Sequence, residues 1–251
     1  KYAGESIQDK LTKVRAIMKK QNATMHILNS LYDIAWLLNI RGNDINNTPV
    51  VLSTAVITLD KVYYFVDEEK LNDEIKAEFN KIGIEVRNYF EIYDFVKTIQ
   101  KDEVVLLDGT TVNYKLYRNI PSNVSIIDAP NPTFIFKAIK NEVELKNIRE
   151  CHIKDGIAMT KFMYWLKTNI GKIKITEISA SDKLEQLRRS DKDCFDLSFP
   201  TISGYKEHAA MMHYSATKES EYELEQEGML LVDSGGQYYT GTTDITRTYI
   251  L

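Results

Sequence analysis

The sequence predicts a mixed α/β protein, with a layered α/β domain first and an α+β domain of helices on an antiparallel sheet second. Three observations lead there. As far as Pro130, strand-like and helix-like patterns alternate, as they do in layers built around a mixed sheet. Pro130 and Pro132 then interrupt the rhythm. Beyond them, two long helical stretches precede a series of strand-like runs.

In the first part, residues 6–20 place Ile7, Leu11, Val14 and Met18 on one helical face. "MHIL" (25–28) is strand-like, and "SLYDIAWLLN" (30–39) reads as a short buried helix. "PVVLSTAVIT" (49–58) and "KVYYFV" (61–66) are rich in β-branched and aromatic residues and are separated by "LD", which predicts a hairpin. A helix over 68–82, a strand at "IEVRN", a helix over 90–100, and strands at "EVVLLD" (103–108) and "SNVSIIDAP" (122–130) complete the series. Pro130 and Pro132 lack backbone donors and restrict the residues before them. A connector is therefore expected over 128–141, between a first domain at 1–134 and a second at 135–251.

In the second part, residues 141–170 read as one long helix with Leu145, Ile148, His152, Ile153, Ile157, Phe162, Trp165 and Leu166 at its apolar positions. Gly156 marks either a break or a tight helix contact. A second helix follows Thr176, a candidate N-cap, and runs to Arg189. "FDLSFPTISGY", "HAAMMHYSA", "GMLLVDSGG" and "TTDITRTYIL" are then strand-like and predict an antiparallel sheet.

A chain of 251 residues, 43% hydrophobic and 27% charged, is long enough for two ordinary domains and falls outside disordered and fibrous compositions. A net charge of -4 argues against nucleic acid or an anionic membrane as partner. The longest apolar runs, such as "VVL" and "MLLV", fall far short of the roughly 18–20 residues of a membrane helix. The start, "KYAGESIQDK", lacks the apolar core of a signal peptide. Two widely spaced cysteines, Cys151 and Cys194, make neither a disulfide framework nor a metal site, so buried inert thiols in a reducing, cytoplasmic setting are expected.

The chemistry concentrates in "VDSGGQYYTGTTDITRTY" (232–249), where Asp233 and Asp244 flank a stretch rich in glycine and tyrosine. A hairpin turning near Tyr238 and Tyr239 would set the two aspartates roughly opposite each other, with Cβ atoms about 4.5–5.5 Å apart. Carboxylates about 5 Å apart repel by roughly 3 kcal/mol at an effective dielectric of 20. A divalent cation relieves that repulsion, because hard ions take carboxylate oxygens and a bridging carboxylate holds two of them. The plainer alternative, aspartate as an ordinary turn residue, stays open at this point. "LLVDSGG" read as a strand-end aspartate with a phosphate loop is disfavoured, because a strand-like run follows it instead of a helix N-terminus.

Of the four histidines, His26 and His152 are expected to be structural. His213 lies in the strand-like "AAMMHYSA" directly before the hairpin, where strand pairing would bring it to the carboxylates. A neutral imidazole there can donate to a carbonyl or shuttle a proton. His208, five residues earlier, would face the other way on a regular strand and is the weaker candidate.

"LLVDSGGQYYTGTTDITRT" resembles the metal-binding hairpin of the creatinase/prolidase/aminopeptidase P family, the pita-bread dinuclear metallopeptidases. "LYDIAWLLNIRGNDINNTPVVLSTAVI" (31–57) looks like the creatinase-type non-catalytic middle domain of the three-domain, cytosolic-type Xaa-Pro aminopeptidases. "KAIKNEVELKNIRECHIKDGIAMTKFMYWL" (137–166) is similar to the first helix of their catalytic domain, and "DLSFPTISGY" and "MMHYSAT" to its first strands. The resemblance implies a creatinase-type α/β domain followed by part of a pita-bread domain. It implies that Asp233 binds one divalent metal ion, that Asp244 bridges two, and that His213 meets substrate near the scissile bond and assists proton movement. Manganese is the ion it suggests. The implied reaction is hydrolysis of an N-terminal Xaa-Pro bond by a hydroxide held at the dinuclear centre. Peptides with proline in the second position would be the partners, with no nucleic acid or membrane, a homodimer as a candidate assembly, and a cytoplasmic location.

The likeness has departures. "GYKEHAAMM" carries Lys-Glu-His where relatives tend to have a small or polar turn, which puts the rim contacts there in doubt. The family completes its metal site with one histidine and two glutamates from later strands, and its first domain precedes the middle one. This chain is therefore expected to be an internal piece, inactive by itself. A prolidase or a creatinase-like hydrolase is disfavoured by the middle-domain resemblance. A metal-free pita-bread module that binds a protein is disfavoured by the presence of Asp233, Asp244 and His213 together.

Overall fold

Residues 1–251 are described by a computed structural model, which divides into two units: Ala3–Ile45 with Pro49–Lys140, and Asn141–Leu251 with Lys1–Tyr2 and Asn46–Thr48. The first is built on a six-stranded mixed sheet of β1 (Met25–Leu28), β2 (Ser53–Thr58), β3 (Val62–Val66), β4 (Ile84–Arg87), β5 (Val104–Leu107) and β6 (Ser125–Asp128), in the order β4-β3-β2-β1-β5-β6. The β1–β2 and β2–β3 pairs are antiparallel and the other three parallel. β1 and β2 are buried on both faces, so they read as unbroken apolar runs instead of alternating ones. The expected hairpin joins β2 to β3, and Thr58 Oγ1 closes its turn by donating to Asp60 (2.8 Å) and accepting from the Lys61 amide (2.9 Å).

Helices cover both faces of this sheet. α1 (Ile7–Lys20), α2 (Leu31–Leu38) and α3 (Asp73–Ile82) pack Val14, Met18, Leu37 and Phe79 against Ala55, Ile57 and Tyr64. On the other face, α4 (Ile92–Phe95) and α5 (Tyr114–Asn119) set Ile92 and Leu116 against Val56, Phe65 and Val105. His26 is structural, as expected: it is fully buried, its Nδ1 lies 3.0 Å from the Leu106 carbonyl oxygen, and burial lowers its pKa to about 4.

Several boundaries differ from expectation for local reasons. The helix expected from residue 68 begins at Asp73, because Asn72 caps it by accepting from the Ile75 amide. The stretch 90–100 breaks into α4 between two 3-10 turns, since its aromatic and β-branched residues are weak helix formers. α5 was not anticipated; Asn113 caps it. The stretch 128–141 contains a helix, α6 (Pro132–Ala138), whose first position holds the proline where no amide donor is needed.

The second unit starts with α7 (Glu142–Asn169), opened by a capping box of Asn141 and Glu144, and α8 (Glu177–Arg189), capped by Thr176 as expected. Gly156 neither breaks α7 nor makes a tight contact, as a Cβ there would meet nothing within 4 Å. The buried face of α7 is Cys151, Asp155, Ala158, Met159, Phe162 and Leu166, whereas Ile153 and Ile157 are 67% and 50% exposed. Phe162 and Leu166 are thus buried as expected, and the stripe departs from expectation at Ile153 and Ile157. The reason is Asp155, buried because Arg188 of α8 pairs with it in bidentate fashion (Nε–Oδ1 2.6 Å, Nη2–Oδ2 3.1 Å).

The single antiparallel sheet expected here is instead two sheets of three antiparallel strands. One is β11-β10-β7, from Gly241–Thr242, Gly236–Tyr238 and Cys194–Leu197; the other is β12-β9-β8, from Ile245–Ile250, Met229–Ser234 and Ile202–Tyr205. "HAAMMHYSA" is not a strand. Lys206 takes a left-handed conformation (φ 53) after β8 and starts a 3-10 turn, Lys206–Ala210. Both cysteines are buried and free, and burial pushes the Cys151 thiol up to about 12. No helix is long and apolar enough to cross a membrane.

Candidate metal and substrate site

Strand alternation explains where Asp233 points. Leu230, Val232 and Ser234 of β9 are buried on one side, so Leu231 and Asp233 face the other. Thr246 of β12 is the register partner of Asp233, and its hydroxyl donates to Asp233 Oδ1 at 2.7 Å. Ile202 of β8 is the register partner on the other side.

Asp244 lies just before β12 and is exposed. Because Ile245 is extended, the residues flanking it, Asp244 and Thr246, project to the same side, which is the side of Asp233. The hairpin turns at Tyr239 and Thr240, one residue later than expected, since Tyr238 pairs with Gly241. This register makes the aspartates diagonal neighbours instead of directly opposite ones. Diagonal neighbours lie about 7–8 Å apart. Their repulsion at an effective dielectric of 20 falls from about 3 to about 2 kcal/mol before screening by solvent.

The ladder breaks between the two carboxylates because of Gly235. A Cβ on Gly235 would sit 1.9 Å from the Thr243 carbonyl oxygen and 2.2 Å from Ser198 Oγ, so only glycine lets the chains approach this closely. Thr243, almost fully buried, bridges the break: its Oγ1 accepts from the Gly236 amide (2.9 Å), and its carbonyl accepts from Ser198 Oγ (2.8 Å). Below the hairpin, Tyr238 donates from its hydroxyl to Asp155 Oδ1 (2.8 Å), tying β10 to the buried Arg188 pair. Burial beside the Asp155 carboxylate drives the Tyr238 pKa upward.

His213 sits between β8 and β9 in a turn, not on a strand. It is exposed and left-handed (φ 58), and makes no hydrogen bond or ion pair with either aspartate. A non-glycine residue in that region costs about 1–2 kcal/mol, although histidine is one of the types enriched there. The register thus places Asp233 and Asp244 on one side of the hairpin, while His213 lies in the loop between β8 and β9 and touches neither.

Sequence reasoning missed what holds that loop. Glu177, at the start of α8, is completely buried and accepts from the Tyr205 amide, His208 Nδ1, the Tyr214 hydroxyl and the Tyr222 amide. His208, read as the weaker strand candidate, is a buried partner of this carboxylate. A signal was present: Glu177 and Arg188 fall eleven residues apart, on the core face of α8, where apolar residues would ordinarily stand.

As donors, two carboxylates in diagonal register suit hard divalent ions, and Asp233 keeps acceptor capacity beyond its one bond to Thr246. No group of three or more His, Cys, Asp or Glu side chains converges to hold a metal ion.

Residues 1–144 match the profile of the creatinase/prolidase N-terminal domain. The chain belongs to the creatinase/prolidase family. Residues 146–251 match metallopeptidase family M24, so the second unit has the pita-bread-type fold. Among relatives, the chain is 38% identical over 252 residues to Xaa-Pro aminopeptidase 1 of Dictyostelium discoideum and 33% identical over 294 residues to aminopeptidase P1 of Arabidopsis thaliana. It is covered at 99% and 98% by these matches and spans 40% and 45% of the relatives' own lengths. In structure it resembles the X-prolyl aminopeptidase of Caenorhabditis elegans, described as a cytosolic enzyme with a di-nuclear active site. That match has a TM-score of 0.93 and 30% identity, over 99% of this chain and 42% of the other. The Xaa-Pro dipeptidase of Bacillus anthracis shares the fold at a TM-score of 0.76 and 17% identity, over 98% of this chain and 65% of that one.

Proposed function

We propose that the chain is part of a metal-dependent Xaa-Pro aminopeptidase, with the first unit as its non-catalytic domain and the second as the first part of its peptidase domain. The observation that carries this is the diagonal Asp233–Asp244 pair, on a chain that follows the fold of a di-nuclear X-prolyl aminopeptidase along nearly its whole length. Asp233 and Asp244 would hold two divalent ions, manganese in our reading. When bound, the ions would supply the Lewis acidity that makes water nucleophilic at neutral pH and polarises the scissile carbonyl. Thr246 orients the Asp233 carboxylate by donating to one of its oxygens. His213, exposed on its turn, would donate to the substrate carbonyl or move the proton of the reacting group. The substrates would be peptides with proline second, the location cytoplasmic and the assembly a homodimer.

The test uses the full-length protein, assayed for metal content and for hydrolysis of an Xaa-Pro peptide. Asp244→Ala is expected to abolish both. His213→Ala is expected to slow turnover about 10²-fold, the lower range for a general acid–base group, with metal content retained. Full activity in Asp244→Ala would overturn the proposal. A wild-type protein that binds metal but cleaves only dipeptides would make it a prolidase, and one that binds none would make it a protein-binding relative.

A further inference from the structure

Five non-glycine residues have positive φ, and three of them are asparagines, for which that conformation is ordinary. The other two, Lys206 and His213, lie in one short segment after β8. Such conformations persist only where surrounding structure over-determines them. Lys206 is held by ion pairs to Glu225 (2.9 Å) and Glu227 (3.3 Å), and the rest of the segment converges on one carboxylate. The Tyr205 amide donates to Glu177 Oε1 (2.7 Å), and the Tyr222 amide (3.0 Å) and Tyr214 hydroxyl (2.9 Å) donate to Oε2. His208 Nδ1 reaches both oxygens, at 2.9 and 3.1 Å. The donors come from the start, the middle and the end of residues 205–222, so one side chain pins the whole loop.

The pinning is transmitted to His213 through its neighbours. The His208 ring stacks between Tyr214 (4.5 Å between centroids) and Tyr222 (3.9 Å). The Met211 amide donates to the His208 carbonyl, and the Tyr214 amide to that of Met211, closing the turn in which His213 is left-handed. We infer that Glu177 is a positioning residue: by holding His208, Tyr214 and both ends of the loop, it fixes the direction in which His213 presents its imidazole. This rests on the role given to His213 in the proposed function.

Only a carboxylate suits this place. It offers about four acceptor sites, whereas the isosteric amide offers one oxygen and a donor group. Two of the four donors are backbone amides, one at each oxygen, and neither can reverse its role. Glu177→Gln therefore sets an NH₂ group against either the Tyr205 or the Tyr222 amide while leaving side-chain volume unchanged.

The experiment compares full-length wild type, Glu177→Gln, His213→Ala, the double variant and Tyr214→Phe. Readouts are amide hydrogen exchange over 205–222, bound metal, and kcat and KM on an Xaa-Pro peptide. Glu177→Gln is expected to speed exchange in this segment about tenfold with α7 unaffected, a local opening rather than a global one. It is expected to lower kcat about tenfold, a small displacement of a reacting group being enough for that, with KM within about twofold and metal content unchanged. On the His213→Ala background, the same change should cost less than about twofold, because residues acting as a unit are not additive. Tyr214→Phe, which removes a single donor, should move exchange and kcat the same way by about threefold, and it carries the test if Glu177→Gln does not fold. Equal losses with and without His213, or unchanged exchange in the segment, would overturn the inference. If wild type cleaves no Xaa-Pro peptide, the proposed function fails, and the exchange comparison alone decides whether Glu177 holds the loop.

Discussion

The buried Asp155–Arg188 pair makes the most direct energetic prediction. Both side chains are completely buried, and their bidentate contact at 2.6 and 3.1 Å joins α7 to α8, with the Tyr238 hydroxyl as a third member. Arg188→Met would leave the Asp155 carboxylate in the interior with only the tyrosine to bind. Breaking one side of a buried pair costs about 3–5 kcal/mol, since the remaining charge is uncompensated. Removing all three polar members by Asp155→Leu, Arg188→Met and Tyr238→Phe should return stability to within about 2 kcal/mol of wild type, because an apolar core of similar volume carries no desolvation penalty. Urea unfolding followed by Trp165 fluorescence reads this unit, since Trp165 lies against Phe162 on α7. A Trp36→Phe background silences the other tryptophan, which lies in the first unit. Resolving one unit matters, because a chain of two units need not unfold in one step. A cost below about 1 kcal/mol for Arg188→Met alone, or a triple variant as unstable as the single one, would refute the reasoning.

Two further outcomes follow from single residues. His26 is held neutral by burial, with a pKa of about 4 against an ordinary 6.5, so between those values the unfolded chain binds more protons than the folded one. Its contribution is present in full above pH 6.5 and is lost as pH falls to about 4, to the order of 3 kcal/mol at 1.36 kcal/mol per pH unit. Urea midpoints followed by Trp36 fluorescence at pH 4 to 7 should therefore fall more steeply for wild type than for His26→Phe, and parallel curves would exclude it. Gly235→Ala should cost about 3 kcal/mol, the upper range for overpacking, because its Cβ would meet backbone at 1.9 Å. In the full-length protein it should also lower metal content, by spreading Asp233 from Asp244. An alanine variant with native stability and metal content would show that the close approach at Gly235 does not set their spacing.

Much of the first unit was legible because its local and global preferences agree. "MHIL" and "STAVIT" are buried on both faces and therefore read as continuous apolar runs, and Thr58 and Asp60 mark the hairpin turn by side-chain chemistry alone. Failures came where a capping or partner residue overrode periodicity. Pro132 read as the centre of a connector yet is the first residue of α6, the one helical position where proline lacks nothing. On α7 the expected apolar stripe holds at Phe162 and Leu166 but fails at Ile153 and Ile157, since nothing in a single helix shows that Asp155 will find Arg188. The two aspartates stand out by residue type and spacing, while a metal role for them comes from the family resemblance. Their diagonal register was not legible, because it depends on which residues turn the hairpin, and Tyr238, Tyr239 and Thr240 do not discriminate by propensity.

The exceptions to ordinary patterning in the two units differ in what they hold. In the first unit, buried Lys10 donates to the Trp36 carbonyl (2.7 Å) and to Asn39 Oδ1 (2.7 Å), where the left-handed Asn39 ends α2. That charge satisfies a helix C-terminus, a demand any helix of the fold would make. In the second unit, Gly235 permits a close approach between the two aspartates, Asp155 reaches the hairpin through Tyr238, and Glu177 gathers the loop that carries His213. None of these three is required to form a helix or a strand. A sheet without Gly235 would pair more evenly, a core without Asp155 and Arg188 would avoid desolvating two charges, and a helix start without buried Glu177 could be capped by Thr176 alone. Departures of this kind are expected where geometry matters more than stability. All three adjoin the residues to which the proposed function assigns the metal and the proton, and that is the physical support for the proposal at this hairpin and its loop.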